Sequence, residues 1–353
     1  MDIAQLAGAT LNRNRLEIAY EITDEFIRSR RAAGATAGLS REALLEYTQH
    51  DLSKLFVSIV SHRPELFRKY VEWQRSLFVH RNIPSATILN HMVVTRSVLR
   101  RHLSPAEMGP VQEILAGAEA ALEGIMQPEE PYIRPDAPCA DLAAEYLSLL
   151  IERRGDEAVA LVCGAVDAGL DTTAAYLDII EPVQREVGRL WQINELSVGG
   201  EHYATETSRI LMAAIRSRFS PRSHRDTTIV TACLGGELHE LGARMVSDFL
   251  YLGGYRSIFV GANTPHDTIL TEIERSGAAV LALSATMTLQ VRNAYELIDR
   301  LRDQFGRDVQ VLVGGYAFNQ APSLVDDIGA DLYADRADHA VEIIGREVMS
   351  YAG

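Results

Sequence analysis

Thr227-Thr-Ile-Val-Thr-Ala-Cys-Leu234 is followed by Gly235-Gly-Glu-Leu-His-Glu-Leu-Gly242. The first half is an apolar and β-branched run fit for a buried strand. After the second half, Met245, Phe249, Leu250 and Leu252 fall at helical spacing. Strand, glycine-bearing loop and helix predict the first βα unit of a doubly wound sheet, in which ligands sit at the carboxyl ends of strands. The loop carries His239 beside the carboxylates Glu237 and Glu240. Two readings stand. His239 caps the start of the helix, or a carboxylate accepts from one ring nitrogen and leaves the other as a basic metal ligand.

Downstream, the pattern repeats. Strands are expected at Ser257–Gly261, Ala278–Leu283, Val309–Val313 and Ala330–Ala334, separated by helices from Thr264-Pro265, at Leu289–Phe305, at Ala321–Ile328 and at Ala337–Met349. Such alternation with short links specifies a parallel sheet covered on both faces.

Upstream of Thr227 no strand signal occurs. Residues 1–127 read as about five helices, beginning near Leu16, with an N-cap at Ser40 and a capping box at Ser104–Glu107. Pro128, Pro131, Pro135 and Pro138 mark a linker, 128–138. Residues 139–220 read as a four-helix bundle and residues 221–353 as the sheet domain. The fold class is therefore all-α followed by α/β.

The chain has 353 residues, 47% apolar and 23% charged, with a net charge of −14. That balance argues against a protein that coats nucleic acid, since phosphate binding needs a basic face. No apolar run of signal-peptide or membrane-span length is read in the sequence, and three scattered cysteines lack metal spacing. The expectation is a cytoplasmic protein with neither membrane nor direct nucleic-acid contact.

Glu237-Leu238-His239-Glu-Leu-Gly242 resembles the Asp-x-His-x-x-Gly loop of cobalamin-binding domains, with Glu237 where that family usually has Asp. Ser284-Ala-Thr286-Met-Thr288 is similar to the loop around the displaced nucleotide tail, and Gly314-Gly315 to the family's glycine pair. The resemblance implies a flavodoxin-like sheet and His239 as the axial ligand of cobalt.

Trp191, nine residues before Glu201-His202, resembles the Trp-x9-Glu-His signature of the helical cap in cobalamin-dependent photoreceptor regulators. That resemblance implies adenosylcobalamin between cap and sheet, with Trp191, Glu201 and His202 on the upper face. Gln192 stands where several of those regulators carry a second histidine ligand. The expected function is a light sensor, a signalling protein rather than an enzyme, with an unknown downstream protein partner. The alternatives are a corrinoid methyl carrier of a methyltransferase system and a cofactor-free scaffold.

Residues 1–127 replace the usual DNA-binding head, and the whole layout resembles photocobilins, which add a helical, globin-like region holding biliverdin. Five histidines, His50 to His102, lie beside Arg68, Arg75, Arg81, Arg96 and Arg100. This region is either a biliverdin site, with arginines pairing propionates, or a dimerisation bundle giving a homodimer.

Overall fold

Capped amphipathic segments build the first part of the chain. The computed structural model describes residues 2–32, 40–126, 128–219, 225–286 and 289–351. The chain divides into two compact units, 1–128 and 129–353.

The first unit is helical throughout its described residues: α1 (Ile3–Arg13), α2 (Arg15–Ala32), α3 (Arg41–Val60), α4 (Pro64–Val79), α5 (Ala86–His102) and α6 (Met108–Glu123). Helix α1 goes beyond the expected set. It is set up by a reciprocal capping box between Asp2 and Gln5. Leu11, Ile18, Ile22, Leu52, Leu55, Leu99 and Leu115 are buried in the shared core.

Its histidines and arginines are largely spent on the bundle itself. His91 is buried, with Nδ1 3.1 Å from the Asp51 carboxylate and Nε2 3.0 Å from the Thr48 hydroxyl. Asp51 also accepts from the Tyr70 hydroxyl at 2.9 Å and the Gln74 amide at 2.6 Å. A buried carboxyl with this many polar partners is a structural device. His62, His80 and His102 reach Asp2, the Ser76 carbonyl and Glu21. Arg68 pairs with Glu72 and Arg96 with Glu119, while Arg75 donates to the carbonyl of Gly124. These are the residues expected to serve a pigment.

In the second unit a helical cap precedes the sheet: α7 (Ala140–Ile151), α8 (Gly155–Asp167), α9 (Thr172–Ala174), a π-helical stretch Ala175–Ile180, α10 (Glu181–Gln192) and α11 (Val198–Arg216). A single helix is expected from Asp171 to Trp191, and the structure interrupts it. Pro182 has no N–H to return to the preceding turn, and the wider π turn lies immediately before it. The proline-rich segment lies along α10, where the Tyr132 N–H donates to Glu186 at 2.9 Å.

The sheet region runs β1 (Thr228–Leu234), α12 (Leu241–Leu252), β2 (Arg256–Thr264), α13 (His266–Ser276), β3 (Val280–Ser284), α14 (Leu289–Phe305), β4 (Gln310–Gly314), α15 (Tyr316–Gln320), α16 (Leu324–Asp327), β5 (Leu332–Ala334) and α17 (His339–Tyr351). Strand order is β2-β1-β3-β4-β5, all parallel. This is the flavodoxin-like order, with its switch point between β1 and β3. Every residue of β1 is buried, as a central strand requires. Of the helix expected at Ala321–Ile328 only α16, Leu324–Asp327, forms, and the unexpected α15 precedes it with Pro322 between them.

Cap and sheet share a core: Met245 and Phe249 of α12 pack among the cap residues Tyr176, Ile179, Met212 and Ile215. A polar hub reinforces it. The Tyr176 hydroxyl donates to Asp248 at 2.8 Å, and Asp248 is also paired with Arg216 of α11. No helix among the described residues is long and apolar enough to cross a membrane.

Candidate functional site

The loop after β1 is held from behind by one carboxylate. Glu237 is wholly buried. Its Oε1 accepts from His239 Nδ1 at 2.6 Å and from the His239 backbone N–H at 2.9 Å. Its Oε2 accepts from the Thr286 N–H at 2.8 Å, reaching across to the loop after β3. Burial alone would push this carboxyl up, but the donors from His239 and Thr286 outweigh it and hold it below its ordinary value.

The His239 imidazole is 62% exposed. Its affinity for a proton is raised by the hydrogen bond to Glu237 and, less, by the charge of Glu201 on α11. With Nδ1 donating to a carboxylate, the lone pair is left on Nε2. His202 Nε2 lies 3.4 Å from Glu201, and the Thr205 hydroxyl donates to the same carboxylate at 2.9 Å. Trp191 is partly buried in the last turn of α10.

Gln192 points elsewhere. It is buried, and its amide donates to Glu129 at 2.8 Å.

The other expected residues take defined places. Ser284 ends β3, and Thr286 contributes its backbone N–H. Thr288 lies outside the described residues. Leu238 is exposed at the loop tip. Gly242, in the first turn of α12, faces open space. A side chain at Gly314 would meet the Ala334 carbonyl at 2.7 Å, and one at Gly315 (φ +97°) the Ala285 carbonyl at 2.6 Å. Glycine is needed there first by the protein's own backbone.

Sequence reasoning passed over several supports. Asn263 and Asn293 bond the glycines before Glu237, through the Gly236 N–H and the Gly235 carbonyl. Glu240 accepts from the Ala262 N–H and lies 2.8 Å from the guanidinium of Arg209 on α11. The glycine at position 261, inside a strand pattern, was the available signal for irregular edge geometry. Cys233 is buried behind the loop, and its thiol is pushed up to about 12 by burial, so it is closed to ligand chemistry.

Among the described residues no group of three or more His, Cys, Asp or Glu side chains could hold a metal ion. The loop instead offers one well-supported imidazole nitrogen.

Comparison with known proteins places two matches on this unit. Residues 142–216 and 227–344 each match a B12 binding domain family. A corrinoid protein of Desulfitobacterium hafniense is 25% identical over 210 residues, 58% of this chain and 96% of that one. The trimethylamine corrinoid protein of Methanosarcina barkeri is 26% identical over 188 residues, 50% of this chain and 86% of that one. Dimethylamine corrinoid protein 3 of Methanosarcina mazei is 32% identical over 114 residues, covering 32% and 67%. The solved monomethylamine corrinoid protein of Methanosarcina barkeri covers 60% of this chain and all of its own, with a TM-score of 0.53 and 19% identity, a likeness of fold.

These relatives overturn the expected light sensor: they are corrinoid proteins, several named for methylamines. Adenosyl and biliverdin ligands rested on the sensor reading, whereas the B12 binding domains support cobalamin itself.

Proposed function

This chain belongs to the B12 binding domain family, and from that premise we propose that it is a corrinoid carrier, a methyl-carrying partner of a methyltransferase rather than an enzyme alone. One observation carries the reading: the His239 imidazole stands exposed with Nδ1 tied to the buried Glu237, so that Nε2 is a free, basic donor. Neutral imidazole is a good ligand for cobalt.

The residues present fit the group. His239 would supply a nitrogen ligand to cobalt, and Glu237 would orient it and raise its basicity. Gly242 would leave room beside the loop, while Ser284, Thr286, Gly314 and Gly315 would surround the nucleotide tail. Leu238 would add apolar contact. Trp191, Glu201 and His202 would line the upper face, between cap and sheet. Bound cobalamin supplies a cobalt that accepts and gives up a methyl group. The chain's own part is to hold it, exclude water and present it to a partner protein. The free cysteines and acidic balance suit a reduced, cytoplasmic setting.

The test is to add methylcobalamin and adenosylcobalamin separately to the purified protein and record absorbance and retention on gel filtration. Retention of methylcobalamin with a histidine-on spectrum, moved to base-off in His239→Ala, is expected. A carrier's upper face must be reachable, so methylcobalamin should bind at least as tightly as the adenosyl form. Failure to retain it, or a strict requirement for the adenosyl group, would sink the carrier reading.

A further inference from the structure

Strand β2 leaves regular register with β1 before it ends. Thr231 pairs with Phe259, Ala232 with Gly261 and Leu234 with Thr264, so β2 gains an extra residue twice over this stretch. Two of its residues adopt left-handed backbone, Gly261 at φ +93° and Asn263 at φ +50°. Glycine does so freely. A side chain at such a position is strained, and asparagine tolerates it best among the others. Bulges re-aim an edge strand, and here the hydrogen bonds show where this one is aimed.

The Asn263 N–H donates to the Glu237 carbonyl at 2.9 Å. Its side-chain Oδ1 accepts from the Gly236 N–H at 2.6 Å. The neighbouring Ala262 N–H donates to Glu240 Oε2 at 3.1 Å. The end of β2 therefore grips the β1–α12 loop on both sides of Leu238 and His239. Gly236 is itself left-handed, at φ +83°, so the backbone leading into Glu237 takes an unusual path. Glu237 can orient His239 only if its own backbone is held.

We propose that Asn263 is a positioning residue for His239: its side-chain oxygen and backbone N–H pin Gly236 and Glu237, and so set where the imidazole stands relative to a corrinoid. This deepens the carrier reading and rests on it. The same strain, kept at an edge strand beside a ligand loop, is of the kind that persists where surroundings require it.

The experiment compares Asn263→Gly, Asn263→Asp and His239→Ala in the full chain. Glycine keeps the left-handed backbone and the N–H, and removes the side-chain amide with its Oδ1 acceptor. Aspartate keeps the acceptor. In cobalamin-free Asn263→Gly, hydrogen exchange at the Gly236 amide should speed up roughly tenfold, the loss of about one hydrogen bond. In the methylcobalamin-loaded variant the spectrum should shift from histidine-on towards base-off, with Kd raised roughly 10- to 100-fold, as for loss of an outer support of a ligand. Asn263→Asp should restore both. Faster exchange with an unchanged spectrum and Kd would overturn the proposal, since Asn263 would then stabilise the loop without placing the ligand. Unchanged exchange in Asn263→Gly would overturn it too. A wild-type spectrum in His239→Ala would instead bring down the carrier reading itself.

Discussion

Glu237 grips His239 twice with one oxygen, at the ring Nδ1 (2.6 Å) and at the backbone N–H (2.9 Å), while its other oxygen takes the Thr286 N–H. The buried partner and the exposed partner of this pair should therefore behave differently when removed. Glu237→Ala removes a buried acceptor that serves three donors, at about 0.5–1.5 kcal/mol per hydrogen bond, so a loss of about 2 kcal/mol or more is expected. His239→Ala removes an exposed ring and one of the three hydrogen bonds to Glu237, so a smaller loss of about 1 kcal/mol is expected. Denaturant unfolding of the cobalamin-free protein measures both. Equal losses would contradict the assigned burial roles.

Two glycines at the same end of the sheet should respond with opposite sign. Gly315→Ala places a methyl group 2.6 Å from the Ala285 carbonyl at φ +97°, and about 1–3 kcal/mol of destabilisation is expected. Gly242→Ala meets nothing within 4 Å and lies in a helical turn, so it should stabilise the cobalamin-free protein by up to about 1 kcal/mol. In cobalamin titrations the same Gly242→Ala should weaken binding if this position, three residues after His239, borders the bound cofactor as proposed. Thermal unfolding and titration together decide whether that glycine serves the fold or the ligand.

The hub between cap and sheet gives a third expectation. Asp248 is buried between Tyr176 and Arg216. Removing one partner of such a pair strands the other, and Asp248→Ala should cost about 3 kcal/mol. Tyr176→Phe loses one hydrogen bond and should cost about 1 kcal/mol. The double variant should cost less than the sum, because the two residues share one interaction. Strict additivity in denaturant midpoints would show the hub to be uncoupled.

Lys54 in the first unit gives a pH dependence. Burial pushes its ammonium down to about 8 from an ordinary 10.5, and its Nζ lies 5.7 Å from the Tyr70 ring centroid. The folded state then binds fewer protons than the unfolded state between these values, so stability rises with pH across that window. The penalty is fully present below about pH 8. Lys54→Met should raise stability at pH 7 by on the order of 1 kcal/mol, with the gain shrinking as pH approaches 10.5. A gain independent of pH would mean that packing, not charge, is responsible.

Much of the sheet was legible because its evidence is local. The run Thr228–Leu234 is buried at every position, and glycine or proline marks the links that follow β1, β2 and β4. His239 and Glu237 stand two residues apart, so their pairing could be anticipated from the loop alone. Where helix signals failed, a proline or a cap was responsible: Pro182 follows a π turn, Pro322 separates two short helices, and Asp2 starts one before Leu16.

The sequence by itself determined the element types, the parallel α/β character, and a histidine loop at the carboxyl edge of the first strand. Periodicity and capping act within a few residues, and they leave a record in the chain. Tertiary structure decided which polar groups meet. Gln192 turns to Glu129. His91 is spent on Asp51 and Thr48. Asn263 holds Gly236 from a neighbouring strand. Each of these pairs spans a long sequence separation, and a hydrogen bond depends on ångström-scale packing that no spacing rule encodes.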